Sequence, residues 1–91
     1  MDTQSGGFIF IRSDQFERGA DGLLDEEDVR LLENRLTENP HAGDVIAGGH
    51  GIRKLRVASR GRGRRGGSRV LYLYIQARSR IHLMAVFAKS D

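Results

Sequence analysis

The sequence predicts an α+β fold: a small, twisted, mainly antiparallel sheet with one or two N-terminal helices packed on one face. Three observations carry this expectation. FIFIRS, residues 8–13, alternates apolar and β-branched side chains as a strand does. Residues 25–39 combine helix caps with an apolar stripe. GIRKLRVA (51–58), SRVLYLYIQ (68–76) and RIHLMAVFAK (80–89) are strand-like, and the short connections between them favour an antiparallel meander.

Taken in order, residues 1–7, MDTQSGG, are expected to be frayed. Asp14 followed by Glu17 suggests a capping box for a short helix ending near Gly22. Asp25 is the expected N-cap of the main helix, with Asp28 at its third position and Leu24 and Val29 placed to close a hydrophobic staple. Val29, Leu32 and Leu36 then share one face. The run Asp25, Glu26, Glu27 and Asp28 resembles a carboxylate or metal site, but acids in a first turn also complement the helix dipole, and that structural reading is preferred. Pro40 disfavours helical geometry at Asn39, so the helix ends there and HAGDVIAGGHG forms a glycine-rich connection. A tight turn near ARS (77–79) separates the last two strands.

Side-chain alternation assigns the strand faces. Lys54 and Arg56 point one way, while Leu55 and Val57 point the other and need the helices as cover. Arg69 shares a face with Leu71, Leu73 and Ile75, opposite Val70, Tyr72 and Tyr74. In the last strand Ile81, Leu83, Ala85 and Phe87 alternate with His82, Met84, Val86 and Ala88, apolar on both faces over much of its length, which suits a central strand or an edge later covered, and Lys89 ends the run.

Ninety-one residues is the size of one domain, 1–91. With no cysteine, neither a disulfide framework nor a thiolate metal site supports the core. No apolar run approaches the roughly 20 residues of a membrane span, and the N-terminus lacks the order of a signal peptide, so a cytoplasmic location is expected. The net charge of +3 is unevenly distributed: residues 1–51 carry −7 and residues 52–91 carry +10. A basic half of this density points to nucleic acid or another polyanion, because phosphate contacts release condensed counterions.

RNA cleavage by attack of a 2′-hydroxyl needs proton removal, charge stabilisation on the phosphorane oxygens and protonation of the leaving oxygen. Lys54, Arg56, Arg69 and Lys89 come from three strands that could converge on one sheet surface, as a reaction centre or equally as a passive phosphate-binding patch. Arg60, Arg62, Arg64 and Arg65 lie in RGRGRRGGSR (60–69), read as an exposed phosphate-gripping loop, and Arg53 is taken with them as RNA-binding. Gly66 and Gly67 permit the return into the sheet. His41 reads as a surface residue, His82 as partly buried, and His50 as near enough to the basic strand to meet a phosphate. GGHGIRK lacks both the spacing and the following helix of a P-loop. Tyr72 and Tyr74 share a strand face, which suits either base stacking or a core. No metal or cofactor is expected.

The segments NPHAGDVI, GIRKLR, GRGRRGGSRVLY and the closing AKS, in this order, resemble the HigB branch of the RelE/ParE toxin superfamily of type II toxin–antitoxin modules. The similarity runs from Phe8 to the end. It implies a RelE-like fold and a metal-independent endonuclease that cuts mRNA in the ribosomal A site. It also implies inhibition by a helix-turn-helix antitoxin, with operator DNA bound only through that complex. The family's basic positions fall on Lys54, Arg56, Arg69 and Lys89. The arginines would stabilise the phosphorane, and the lysines are the candidate proton-transfer groups. Phe87 stands where relatives often have tyrosine, and the C-terminal helix common in relatives is expected to be absent. Two alternatives share the fold: a non-catalytic RNA-, ribosome- or antitoxin-binding protein, and a ParE-like gyrase inhibitor.

Overall fold

The computed structural model of the protein describes residues 2–5, 7–58 and 67–89. Its elements are β1 (Asp2–Ser5), β2 (Phe8–Arg12), α1 (Asp14–Ala20), α2 (Glu26–Glu38), β3 (Asp44–Val45), β4 (Arg53–Val57), β5 (Ser68–Ile75) and β6 (Arg80–Ala88). The strands form one sheet in the order β1-β2-β6-β5-β4-β3. All neighbours are antiparallel except β2 and β6, which run parallel because the chain crosses over through both helices before returning. This is the expected α+β architecture, and of the two positions that its apolar faces suit, β6 takes the interior one, between β2 and β5. No helix among the described residues is long and apolar enough to cross a membrane.

The main helix forms as its caps dictate. The Asp25 carboxylate accepts the Asp28 N–H at 2.7 Å, and the Asp28 carboxylate accepts the Asp25 N–H at 3.0 Å. Val29, Leu32 and Leu36 are buried with Leu55, Val57, Val70 and Tyr72, so the stripe of α2 covers the inward rows of β4 and β5. The acidic run is absorbed into this local structure. Besides the capping pair, Glu26 meets Arg12 at 3.2 Å and Glu27 meets Arg30 at 3.5 Å.

Several local expectations are corrected, and others are made specific. Residues Asp2–Ser5, expected to be frayed, pair antiparallel with β2, since an outer strand needs only backbone partners, whatever its side chains. The cap of α1 is Ser13 rather than Asp14: its hydroxyl accepts the Phe16 N–H at 3.0 Å and donates to the Met84 carbonyl at 2.7 Å. That helix ends at Ala20, ahead of Gly22, and Gly19 is required within it because a Cβ would overlap the Val86 carbonyl oxygen. The glycine-rich connection contains the two-residue β3, paired with β4. The turn before β6 is a 3-10 turn at Gln76–Arg78, followed by Ser79 in the left-handed region.

The last strand also departs from the simple alternation expected of it. Leu71 pairs with Ala85 but Tyr72 pairs with Leu83, so the register skips Met84 and the alternation in β6 changes phase there. Ile81 and Leu83 face the helices, and beyond the bulge Val86 does so. Ala85 and Phe87 fall on the opposite face instead of continuing the row of Ile81 and Leu83.

A partly buried ion network ties β2 to α2. Arg12 donates to Glu33 at 3.3 Å and to Glu26 at 3.2 and 3.3 Å, and the Glu33 side chain is only 6% exposed. Burial would lower the Arg12 pKa, but its bonds to Glu26 and the charge of both carboxylates hold it above the ordinary value. Burial raises the Glu33 carboxyl above the ordinary glutamate value; Arg12, shared with Glu26, offsets only part of this. A folded pKa above the unfolded one favours the folded state most below the unfolded value of about 4.3, and this contribution is lost as pH rises through the folded value. Urea unfolding followed upward from that pH is therefore expected to report a declining component that Glu33→Gln removes. A variant with the wild-type pH profile would reject this origin.

Candidate nucleic-acid interface

The helices cover one face of the sheet, and Lys54, Arg56 and Arg69 lie on the other. Burial of Leu55 and Val57 locks the phase of β4, which leaves Lys54 and Arg56 exposed on the helix-free face. Register then builds a row across three strands: Arg56 pairs with Arg69, and Arg69 pairs with Phe87. At roughly 4.8 Å per strand, the row spans about 10 Å. Lys54 lies one step along β4, opposite Leu71. Lys89 follows β6 as an exposed residue, and its N–H donates to the Gly67 carbonyl at 3.3 Å. Continued alternation places Lys89 on the face of Phe87. Without the bulge at Met84 both would point towards the helices.

The backbone beneath the row is braced from the other side. The Arg35 guanidinium of α2 donates to the Arg56 carbonyl at 3.1 Å, and Arg69 reaches the Ser68 carbonyl at 3.4 Å. Two cations facing each other across adjacent strands repel, which disfavours the fold by roughly 0.2–1 kcal/mol. Such a pair is compatible with a surface whose occupant is an anion. Asp44 on β3, to which the sequence alone assigns no role, pairs across from Lys54 and sets one carboxylate at the outer edge of the row.

Arg53 is not part of this surface. It points to the opposite face from Lys54, and its guanidinium donates to the Gly43 carbonyl at 2.8 Å and the His41 carbonyl at 3.4 Å. It clamps the connection after α2. Tyr72 fastens the same connection from within the core. Fully buried, it accepts the Gly43 N–H at 2.9 Å and donates to the Pro40 carbonyl at 2.8 Å. Burial raises its pKa, more than Gly43 and the nearby arginines lower it, so the hydroxyl keeps its donor proton. Tyr74, on the same helix-facing row, meets Phe8 and His41 edge-on at ring distances of 5.7 and 5.3 Å. The pair Tyr72 and Tyr74 is thus core and packing, not a stacking platform.

The histidines stand apart from the row. His41 packs on Tyr74, and His50 holds a left-handed conformation, φ 55°, in the connection before β4. His82 pairs with Leu73 on the helix-free face, and Leu73 lies about 13 Å along β5 from Arg69, four residues away. It lines an apolar groove of 390 Å³ with Ile11, Leu71, Leu73, Ile75 and Met84. Arg60, Arg62, Arg64 and Arg65 lie outside the described residues.

No protein-family model matches the chain. The fold is similar to a chain in the crystal structure of the intact E. coli RelBE toxin–antitoxin complex, with a TM-score of 0.60, 16% identity, and coverage of 90% of this chain and 96% of that one. It is also similar to E. coli toxin RelE in the free state, solved as a double arginine-to-alanine variant, with a TM-score of 0.56, 15% identity, and coverage of 87% and 80%. Two helices on one face of a mixed sheet therefore constitute a RelE-like fold.

Proposed function

We propose that the protein is the toxin of a type II toxin–antitoxin module, of the HigB-like branch, acting in the cytoplasm as a ribosome-dependent mRNA endonuclease. The observation that carries this reading is the set of Lys54, Arg56, Arg69 and Lys89 on the helix-free face, with Arg56 and Arg69 paired in register. A scissile phosphate over this row would meet two planar guanidinium donors matched to its oxygens. As the 2′-oxygen bonds to phosphorus, Arg56 and Arg69 would stabilise the phosphorane charge. One lysine would take the 2′-hydroxyl proton and the other would protonate the departing 5′-oxygen, leaving a cyclic phosphate and a new 5′-hydroxyl end. The arginine-rich segment would add phosphate contacts along the message. A RelE-like chain solved in a toxin–antitoxin complex supports an antitoxin as the partner; that the antitoxin is a helix-turn-helix protein rests on the resemblance to the HigB branch.

Phe87 favours a second reading. It lies beside Arg69 and cannot exchange a proton, so a non-catalytic member would bind RNA or ribosomes in a salt-sensitive manner without cleaving. One experiment separates these readings. Purified protein added to a cell-free translation system is expected to stop synthesis and to produce new mRNA ends only where ribosomes occupy the message. Intact mRNA would reject the nuclease reading, and gyrase inhibition with intact mRNA would favour a ParE-like activity.

A further inference from the structure

Three large apolar side chains are exposed among the described residues: Leu31 at 42%, Val45 at 57% and Phe87 at 42%. Isolated exposure of this kind is ordinary, and Leu31 on α2 and Val45 on the edge strand need no further account. Phe87 differs in its neighbours. It ends the row of Arg56 and Arg69, two residues before Lys89, on a face where the bulge at Met84 has placed it. The same strand without the bulge would bury this ring under the helices. The two tyrosines that alternation offers as stacking surfaces are occupied on the other face.

We infer that Phe87 is the platform on which a nucleobase of single-stranded RNA stacks while Arg56, Arg69 and Lys89 hold the adjoining phosphate. This rests on the reading of the row as a phosphate-gripping surface. The β5–β6 register sets Phe87 directly beside Arg69, so a phosphate gripped by Arg69 leaves the adjoining base within reach of the ring. Stacking uses the face of the ring and requires no hydroxyl, so phenylalanine serves as well as tyrosine. Phe87 is then a positioning residue, and because every base has a π-face it confers little base preference.

The test uses the purified full chain and a short RNA carrying 2-aminopurine, with 2′-O-methyl sugars that cannot be cleaved. Binding to the wild-type protein is expected to quench the 2-aminopurine fluorescence. Phe87→Leu, apolar but not aromatic, is expected to abolish the quench and weaken binding roughly 5- to 100-fold, while Phe87→Tyr retains both. Melting temperatures of both variants should stay near wild type, since the ring is already 42% exposed. A retained quench in Phe87→Leu, or affinity within about twofold of wild type, overturns the inference. RNA that binds with Arg69-dependent affinity but is not quenched removes the stacking role alone; RNA that does not bind also overturns the inference, while the reading of the row stands or falls with cleavage on ribosomes.

Discussion

Arg69→Ala is expected to lower ribosome-dependent mRNA cleavage by roughly 100- to 1,000-fold, the usual effect of deleting one donor aimed at a developing oxyanion. Arg69→Lys should recover part of this, because an ammonium supplies charge without the planar fork. The double variant Lys54→Ala with Arg69→Ala should be inactive, and retained cleavage would remove both residues from the mechanism. A stability measurement separates chemistry from structure. Arg69 faces Arg56 directly across the β4–β5 pair, so its removal also relieves a like-charge contact. The unfolding free energy of Arg69→Ala is therefore expected to lie within about 1 kcal/mol of wild type. Activity lost together with the fold would make Arg69 a structural residue.

The second large effect belongs to a glycine without a chemical role. Gly67 enters β5 with φ +65°, and a Cβ there would overlap the Val57 carbonyl oxygen and lie 3.0 Å from its carbon. Both the left-handed backbone and the close approach to β4 exclude a side chain. Gly67→Ala is expected to destabilise the protein by about 2–4 kcal/mol, a substantial share of the marginal stability of so small a domain. In thermal unfolding this amounts to a fall of roughly 10 °C or more. The same substitution disturbs the site, since the Gly67 carbonyl receives the Lys89 N–H and Gly67 lies two residues before Arg69. A variant that melts within about 2 °C of wild type would mean that the entry to β5 tolerates a different path.

Local rules made some parts of this molecule legible. Asp25 and Asp28 satisfy each other's backbone donors over a span of four residues, so the start of α2 could be read directly. The phase of β4 was equally plain, because Leu55 and Val57 permit only one orientation for Lys54 and Arg56. Other parts depended on distant groups. Ser13 outcompetes Asp14 as a cap because β6 supplies the Met84 carbonyl that anchors it, across 71 residues of chain. Arg53 looked like one more cation in a basic strand, but it shares the face of Leu55 and Val57, and there the distant Gly43 and His41 carbonyls accept from its guanidinium.

The sequence by itself determined the order and type of the main elements, the caps of α2, and which residues of β4 and β5 share a face. These depend on contacts within a few residues or on a strict period of two. Only the tertiary structure decided which strands are neighbours and how the last strand aligns with them. The parallel pairing of β2 and β6 follows from the crossover, and the bulge at Met84 exists only in the pairing of β6 with β5. A single skipped residue reverses every side chain beyond it, and that reversal turns Phe87 and Lys89 towards Arg56 and Arg69.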